Sequence, residues 1–458
     1  MFLFYLAAFV LLAVFVGTGI VVGSGGKRDY SLGGRKAKAA GVTGILLGAL
    51  VGGASTVGTV QMAYSYGLTA WWFTLGGGIS CLLLGLRFAA PLRRSEVTTI
   101  ADYLERSYGV RGAAIALTAT ISSSIGTFIS ICAQFLSCIA LIRGVLPLPA
   151  WAAALIAALS IWGFIAAGGM KSFSTLGTAK IFILYIVLVL CAGAAYYHSD
   201  GFAATAKTLG FRPWFNIFGR GFVPELGYLA SMIVGVFTTQ IYIQSLAAAK
   251  DAAAARAGAF ASAALMPPMG LLGSWIGLSV RARGVEIAPD KALSWFIMDS
   301  FPPLLGGLIW GGILITVVGC AAGLILGIAT NITKNFIPKK IAARYASQDG
   351  SLQQALVALM ILAAALSGIG GSGSMILEWS FMSMGLRGAG TFFPFVLAVL
   401  GPGRLSPSWA LASSVGGLAG MLLWAMSGMP QDPLFAGLAV SALCVAAGML
   451  SGRGKAYL

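Results

Sequence analysis

Apolar segments about twenty residues long recur along this 458-residue chain from end to end. A bilayer core of about 30 Å is crossed by about 20 residues of helix. In hydrocarbon a helix satisfies its own backbone donors and acceptors, so each segment reads as a spanning helix. Only 9% of residues are charged and 58% are hydrophobic, where a soluble domain carries about 25% charge. The fold class expected is therefore an all-α integral membrane protein. About thirteen transmembrane helices are predicted, near 2–23, 40–63, 68–91, 112–142, 150–167, 176–197, 224–246, 258–280, 303–330, 352–370, 375–399, 408–427 and 433–451.

The first 23 residues lack the basic start of a signal peptide and read as a retained helix. The cluster "GGKRDYSLGGRKAK" follows, which by the positive-inside rule puts the amino terminus outside. An odd number of spans returns the carboxyl-terminal "GRGKAYL" to the cytoplasm, in agreement with its charge. The expected location is the plasma (inner) membrane, multi-pass, with the lipid bilayer as a partner. A net charge of +16 is explained by cytoplasmic loops and anionic lipid, with no nucleic acid required. Six cysteines sit in apolar segments without metal-type spacing, so neither a disulfide framework nor a resident metal beyond sodium is indicated. His198, the only histidine, lies at an external end and is not read as a proton relay.

Two segments break the apolar pattern. "GGASTVGTVQ", Gly52 to Gln61, and "GVFTTQIYIQ", Gly235 to Gln244, place glycine and hydroxyls at mid-depth. Small residues at helix contacts are one explanation. Broken helices at matching positions of two oppositely directed halves are the other, and they point to a transporter binding site.

Four further stretches resemble the sodium:solute symporter family: "YSLGGRK", "STVGT" with "AYSYG", "TTIADYLERSYG" and "IQSLAAAKDAAAAR". The resemblance covers nearly the whole chain. It implies a leading helix at 1–23, a five-helix repeat at 40–197, an inverted five-helix repeat at 224–399, and two trailing helices at 408–452. The first and sixth core helices would be broken. It implies a cation-coupled symporter that imports a small polar organic solute by alternating access.

Carried onto this chain, the family's substrate pocket falls on Ser55, Thr56, Trp71, Thr74, Thr238, Thr239 and Gln240. Threonine and glutamine donate and accept, and a tryptophan face covers an apolar or cationic part. Trp71 and Trp72 fit an interfacial belt equally well. The family's sodium site uses first-helix carbonyls, here Gly48 and Val51, and eighth-helix hydroxyls. The hydroxyl positions fall on Gly319 and Cys320, which lack a side-chain hydroxyl; Thr316 stands one turn earlier. The family's acidic position on the fifth core helix falls on Gly177, with Lys180 one turn further in. Either Lys180 snorkels to the surface, or its ammonium is a tethered cation at the sodium site. In the second case coupling would be to protons, or absent, instead of to Na+.

Arg387, in "GLRGAG", is the other charge at membrane depth. It binds a substrate carboxylate or lines a water-filled vestibule, or it pairs with helix-end carbonyls. Glu378 lies nine residues away, about 13 Å along a helix, so the two are not a direct pair. Gln134 and Ser122–Ser124 are weaker candidates, and Pro267–Pro268 should kink their helix. No nucleotide loop, paired catalytic carboxylates or nucleophile–base set is present, so an enzyme is not expected. A channel would show a continuous polar stripe, and a transporter-like sensor would carry a soluble signalling domain; these are the alternatives to transport.

Overall fold

The computed structural model describes residues 1–23, 35–166, 169–335, 351–429 and 431–451. The expected basic loop up to residue 34 and the terminal 452–458 lie outside the described residues. The chain runs through α1 (Phe2–Gly23), α2 (Ala39–Leu50), α3 (Thr59–Tyr66), α4 (Trp72–Leu83), α5 (Ala89–Arg94), α6 (Ile100–Tyr108) and α7 (Gly112–Val145). It continues through α8 (Ala150–Ala166), α9 (Gly169–His198), α10 (Gly201–Leu209), α11 (Phe222–Thr238), α12 (Gln240–Ala247), α13 (Ala252–Ala282), α14 (Ala292–Ser300) and α15 (Pro303–Asn335). The last five are α16 (Ser351–Gly370), α17 (Ile376–Gly388), α18 (Phe392–Leu400), α19 (Pro407–Met426) and α20 (Pro433–Leu450). Among the described residues there is no strand, only an isolated bridge between Ala37 and Ala249.

Helix occupies all thirteen expected segments, but the spans number differently. Among the described residues eight helices are long and apolar enough to cross alone, or ten if each of two bent pairs counts as one span. Phe2–Phe15, Ala39–Leu50 and Ala150–Ile165 are apolar but shorter. The count falls short of thirteen partly because the second expected segment is cut by its break into two short pieces, one of which runs on into α4 and α5.

Burial separates the helices into layers. The apolar window of α15 is entirely buried and most of that in α7 is, whereas the α16, α19 and α20 windows are largely exposed. The large exposed hydrophobic side chains on these outer helices are Leu, Val and Met, as expected for a face toward lipid tails. The long helices α7 and α15 thus form a central wall against which the interrupted helices pack. The short helices α6 and α14 rest at opposite ends of α7. Gly112 packs closely on Glu105 of α6, and the Ser294 hydroxyl of α14 donates to the Leu141 carbonyl.

Both expected breaks are present. Val51 turns extended (φ −94°, ψ 109°) after α2, and residues Ala54–Gly58 form a wider π-type turn before α3. Thr239 is extended (φ −87°, ψ 119°) between α11 and α12, which meet at 51°. A further bend of 56° separates α17 from α18, just beyond Arg387. Pro267 and Pro268 sit inside α13, one continuous helix from Ala252 to Ala282. Beside the prolines, the carbonyls of Leu265 and Pro267 accept from the Tyr185 hydroxyl and the Trp71 indole of neighbouring helices.

Candidate functional site: two broken helices and two buried cations

At the first break two backbone amides leave the helix ladder for side chains. The Gly52 N–H donates to the Ser55 hydroxyl at 3.0 Å, and the Gly53 N–H donates to Oε1 of Gln134 at 2.7 Å. Neither amide therefore caps the α2 carbonyls four residues earlier, those of Gly48 and Ala49. Close approach requires the two glycines here. A Cβ at Gly53 would lie 2.0 Å from Ser137 Oγ, and one at Gly52 would lie 2.5 Å from Cys320 Cβ.

The freed carbonyls meet Lys180. Its ammonium donates to Gly48 O at 2.6 Å, to Val51 O at 2.8 Å and to Thr316 O at 3.0 Å. An ammonium has three N–H donors, and each has one carbonyl. Lys180 is 1% exposed; it turns inward and does not snorkel. Ala49 O receives Cys320 Sγ at 2.9 Å. Thr316 takes part through its backbone, since its hydroxyl donates to Gly312 O. The Gly319 position leaves room for the lysine stem: a Cβ there would sit 3.2 Å from Lys180 Cδ. At Gly177 a Cβ would lie 2.4 Å from Gly44 O, so no carboxylate fits at that point of the α2–α9 contact.

The second break is built differently. The Thr239 hydroxyl donates to Gly235 O at 2.6 Å and accepts from Nη1 of Arg387 at 2.7 Å. Nη2 of Arg387 donates to the Ser383 hydroxyl at 2.9 Å, which itself donates to Gly126 O. Nη1 also lies 3.6 Å from Met384 Sδ, while Nε has no partner. The guanidinium is fully buried and belongs to none of the ion pairs among the described residues. Glu378 is not its partner; that carboxylate pairs with Arg220 at 3.3 Å.

A family model described as the sodium:solute symporter family matches residues 30–417. The chain belongs to the sodium:solute symporter family. Among solved structures it is similar to a substrate-bound, outward-open Na+-coupled sialic acid symporter, with TM-score 0.75 and 15% identity over 100% of this chain and 98% of that one. It is also similar to Mhp1, a nucleobase-cation-symport-1 family transporter, in a closed conformation with bromovinylhydantoin bound. That match has TM-score 0.59 and 13% identity over 94% and 96% of the two chains. Inward-facing Mhp1 gives TM-score 0.57 and 14% identity over 93% of each. No curated protein matches the chain.

As a member of the sodium:solute symporter family, the protein is a multi-pass membrane protein and a cation-coupled secondary transporter, not an enzyme. The expected site residues divide within this frame. Gly48, Val51, Thr316, Gly319, Cys320 and Lys180 converge on one point. Thr239 and Arg387 converge on another. Ser55 and Thr56 both donate to Gly52 O, at 3.0 and 2.8 Å, so their hydroxyls fold onto the break itself. Thr238 donates to Val234 O. Trp71 donates to Pro267 O at 2.8 Å, and Thr74 packs where a Cβ at Gly270 would be. Both residues thus serve the α4–α13 contact and lie outside the Arg387 group. Gln240 has both amide atoms engaged with backbone at 98–100.

Residues missed from the sequence include Ser383 and Met384, which hold Arg387. They sit four and three residues before it, so helical spacing from an intramembrane arginine was the available signal.

Proposed function

We propose that this transporter imports a small carboxylate-bearing polar solute by alternating access, with Arg387 as the anchor for its negative charge. The observation that carries this reading is a fully buried guanidinium held by the neutral groups of Thr239, Ser383, Met384 and Tyr242, in no ion pair among the described residues and with Nε unpartnered. A charge at that depth needs a counter-charge or dense hydrogen bonding, and a carboxylate supplies both in a two-pronged contact. Broken helices beside the guanidinium allow the anchor to change its exposure as the half-helices move.

The coupling cation follows from the first break. In this reading Lys180 is the resident cation of the cage formed by Gly48, Val51 and Thr316. Sodium is a hard cation that requires oxygen ligands, and here those carbonyls already accept from the lysine. Coupling is then to a proton carried by Lys180. The topology that accompanies it has two inverted repeats at 40–197 and 224–399, flanked by 1–23 and 408–452. The α6 face lies in the cytoplasm of a plasma (inner) membrane, with the amino terminus outside and the carboxyl terminus inside. Basic Arg87, Arg93, Arg94, Arg106 and Arg111 cluster on that side.

The test is uptake into proteoliposomes of matched carboxylates and their amides, with sodium, potassium or a pH gradient. Uptake of a carboxylate without its amide, unchanged when sodium is replaced by potassium, is the expected result. Equal uptake of the amide would remove Arg387 as the anchor, and strict sodium dependence would remove Lys180 as the cation.

A further inference from the structure

Gln240 and Tyr64 share a contact geometry that their chemistry alone would not suggest. Nε2 of Gln240 donates to Thr98 O at 3.0 Å, and its Oε1 accepts from the Ile100 N–H at 3.1 Å. The Tyr64 hydroxyl donates to Val285 O at 2.5 Å and accepts from the Ile287 N–H at 3.4 Å. Each side chain therefore grips the C=O of one residue and the N–H of the residue two further on. Gln240 opens α12, half of the second broken helix, and Tyr64 lies on α3, half of the first. The gripped peptides lead into α6 and α14, which rest at opposite ends of the central helix α7.

We propose that these two-point clasps are the latches of the two gates: Gln240 holds the α6 face shut, and Tyr64 holds the α14 face shut. In each case a half-helix that moves is tied to a peptide anchored on the central wall. A glutamine amide and a phenol each offer one donor and at least one acceptor in a single polar group. Each can thus replace the neighbouring strand that an extended peptide lacks, yet be released as a unit. Behind the Gln240 clasp lies a cavity of about 10 Å³ lined by Thr120, Ser123, Thr238, Asn331 and Thr391. That is room for about one water molecule. The Thr391 hydroxyl is fully buried and has no partner. This polar pocket, one helical turn beyond Arg387, is the collapsed start of the route to the α6 face.

The proposal rests on alternating access but on neither the solute nor the coupling ion, and its test needs no transport. Thr391→Cys places a thiol in the pocket without sacrificing a hydrogen bond. Its reaction with a water-soluble maleimide is followed in purified full-length protein, over the background of the same chain with Thr391 intact. Gln240→Leu is expected to raise the labelling rate about tenfold or more, and Tyr64→Phe to leave it unchanged or lower it. Gln240→Glu keeps the acceptor for Ile100 but sets a carboxylate against Thr98 O. It serves if the leucine variant does not fold, with the same rise expected. Unchanged labelling in a folded Gln240 variant overturns the latch. An equal rise with Tyr64→Phe also overturns it, because that would mean general loosening in place of a sided gate.

Discussion

The two broken helices solve the same problem in opposite ways. At the first, every freed group near Lys180 finds a partner: three ammonium donors meet three carbonyls, and the displaced amides of Gly52 and Gly53 go to Ser55 and Gln134. At the second, a guanidinium with five N–H donors is met by the hydroxyls of Thr239, Ser383 and Tyr242 and by a sulfur, with Nε left over and no carboxylate paired to it among the described residues. The ammonium at the first break has a carbonyl for each donor. The guanidinium at the second keeps Nε without a partner and belongs to no ion pair among the described residues, which is why Arg387 is proposed as the anchor for an anion. The difference lies in what each break exposes. The first turns carbonyls toward the cation and balances it internally, while the second presents hydroxyls that cannot neutralise one.

The largest expected effect tests the open site. Arg387→Gln should lower uptake of a carboxylate solute by at least about thirtyfold, because a lost partner in a buried charge pair costs about 2–5 kcal/mol. Thermal stability should not fall with it, since removing a buried charge without a counter-ion relieves desolvation. A melting curve beside the uptake assay checks both halves. Next is the closed site. Lys180→Ala should cost about 3–5 kcal/mol of stability by orphaning three carbonyls. It should also confer a sodium-specific rise in melting temperature, against potassium at equal ionic strength, that the parent lacks; saturating a site at a hundred times Kd contributes about 2.7 kcal/mol. A sodium response in the parent would show that the cage is not filled by lysine, and the contrast between the two breaks would fail.

Smaller effects sharpen the comparison. Gln134→Leu should cost about 1–3 kcal/mol, since the buried Gly53 N–H loses its acceptor, and unfolding followed by tryptophan fluorescence would measure it. Thr56→Val and Thr239→Val remove one hydroxyl from each break and should each cost about 1 kcal/mol of stability. Only Thr239→Val should weaken solute affinity, because only that hydroxyl touches Arg387. Equal effects on the apparent KM would place Ser55 and Thr56 back in the solute site.

Much of this was legible in the residues. The apolar segments determined an all-helical membrane protein, and glycine–hydroxyl clusters at 52–59 and 235–239 located both breaks, because both signals are local and repeat along the chain. The coincidence of Lys180 with Gly319 and Cys320 also pointed to the contact that Lys180 makes beside Gly319, since a gained charge and lost hydroxyls can be compared at known spacings. Tertiary structure alone decided where the long polar side chains went. Gln240 turned to Thr98 and Ile100, Trp71 to Pro267, and the Thr316 hydroxyl back along its own helix. It also placed Ser383 and Thr239 around Arg387 and kept α13 helical through two prolines. Sequence spacing fixes a residue's depth and helix face. The partner of a flexible side chain depends on which neighbouring helix presents a free carbonyl or hydroxyl within about 3 Å, and only packing determines that.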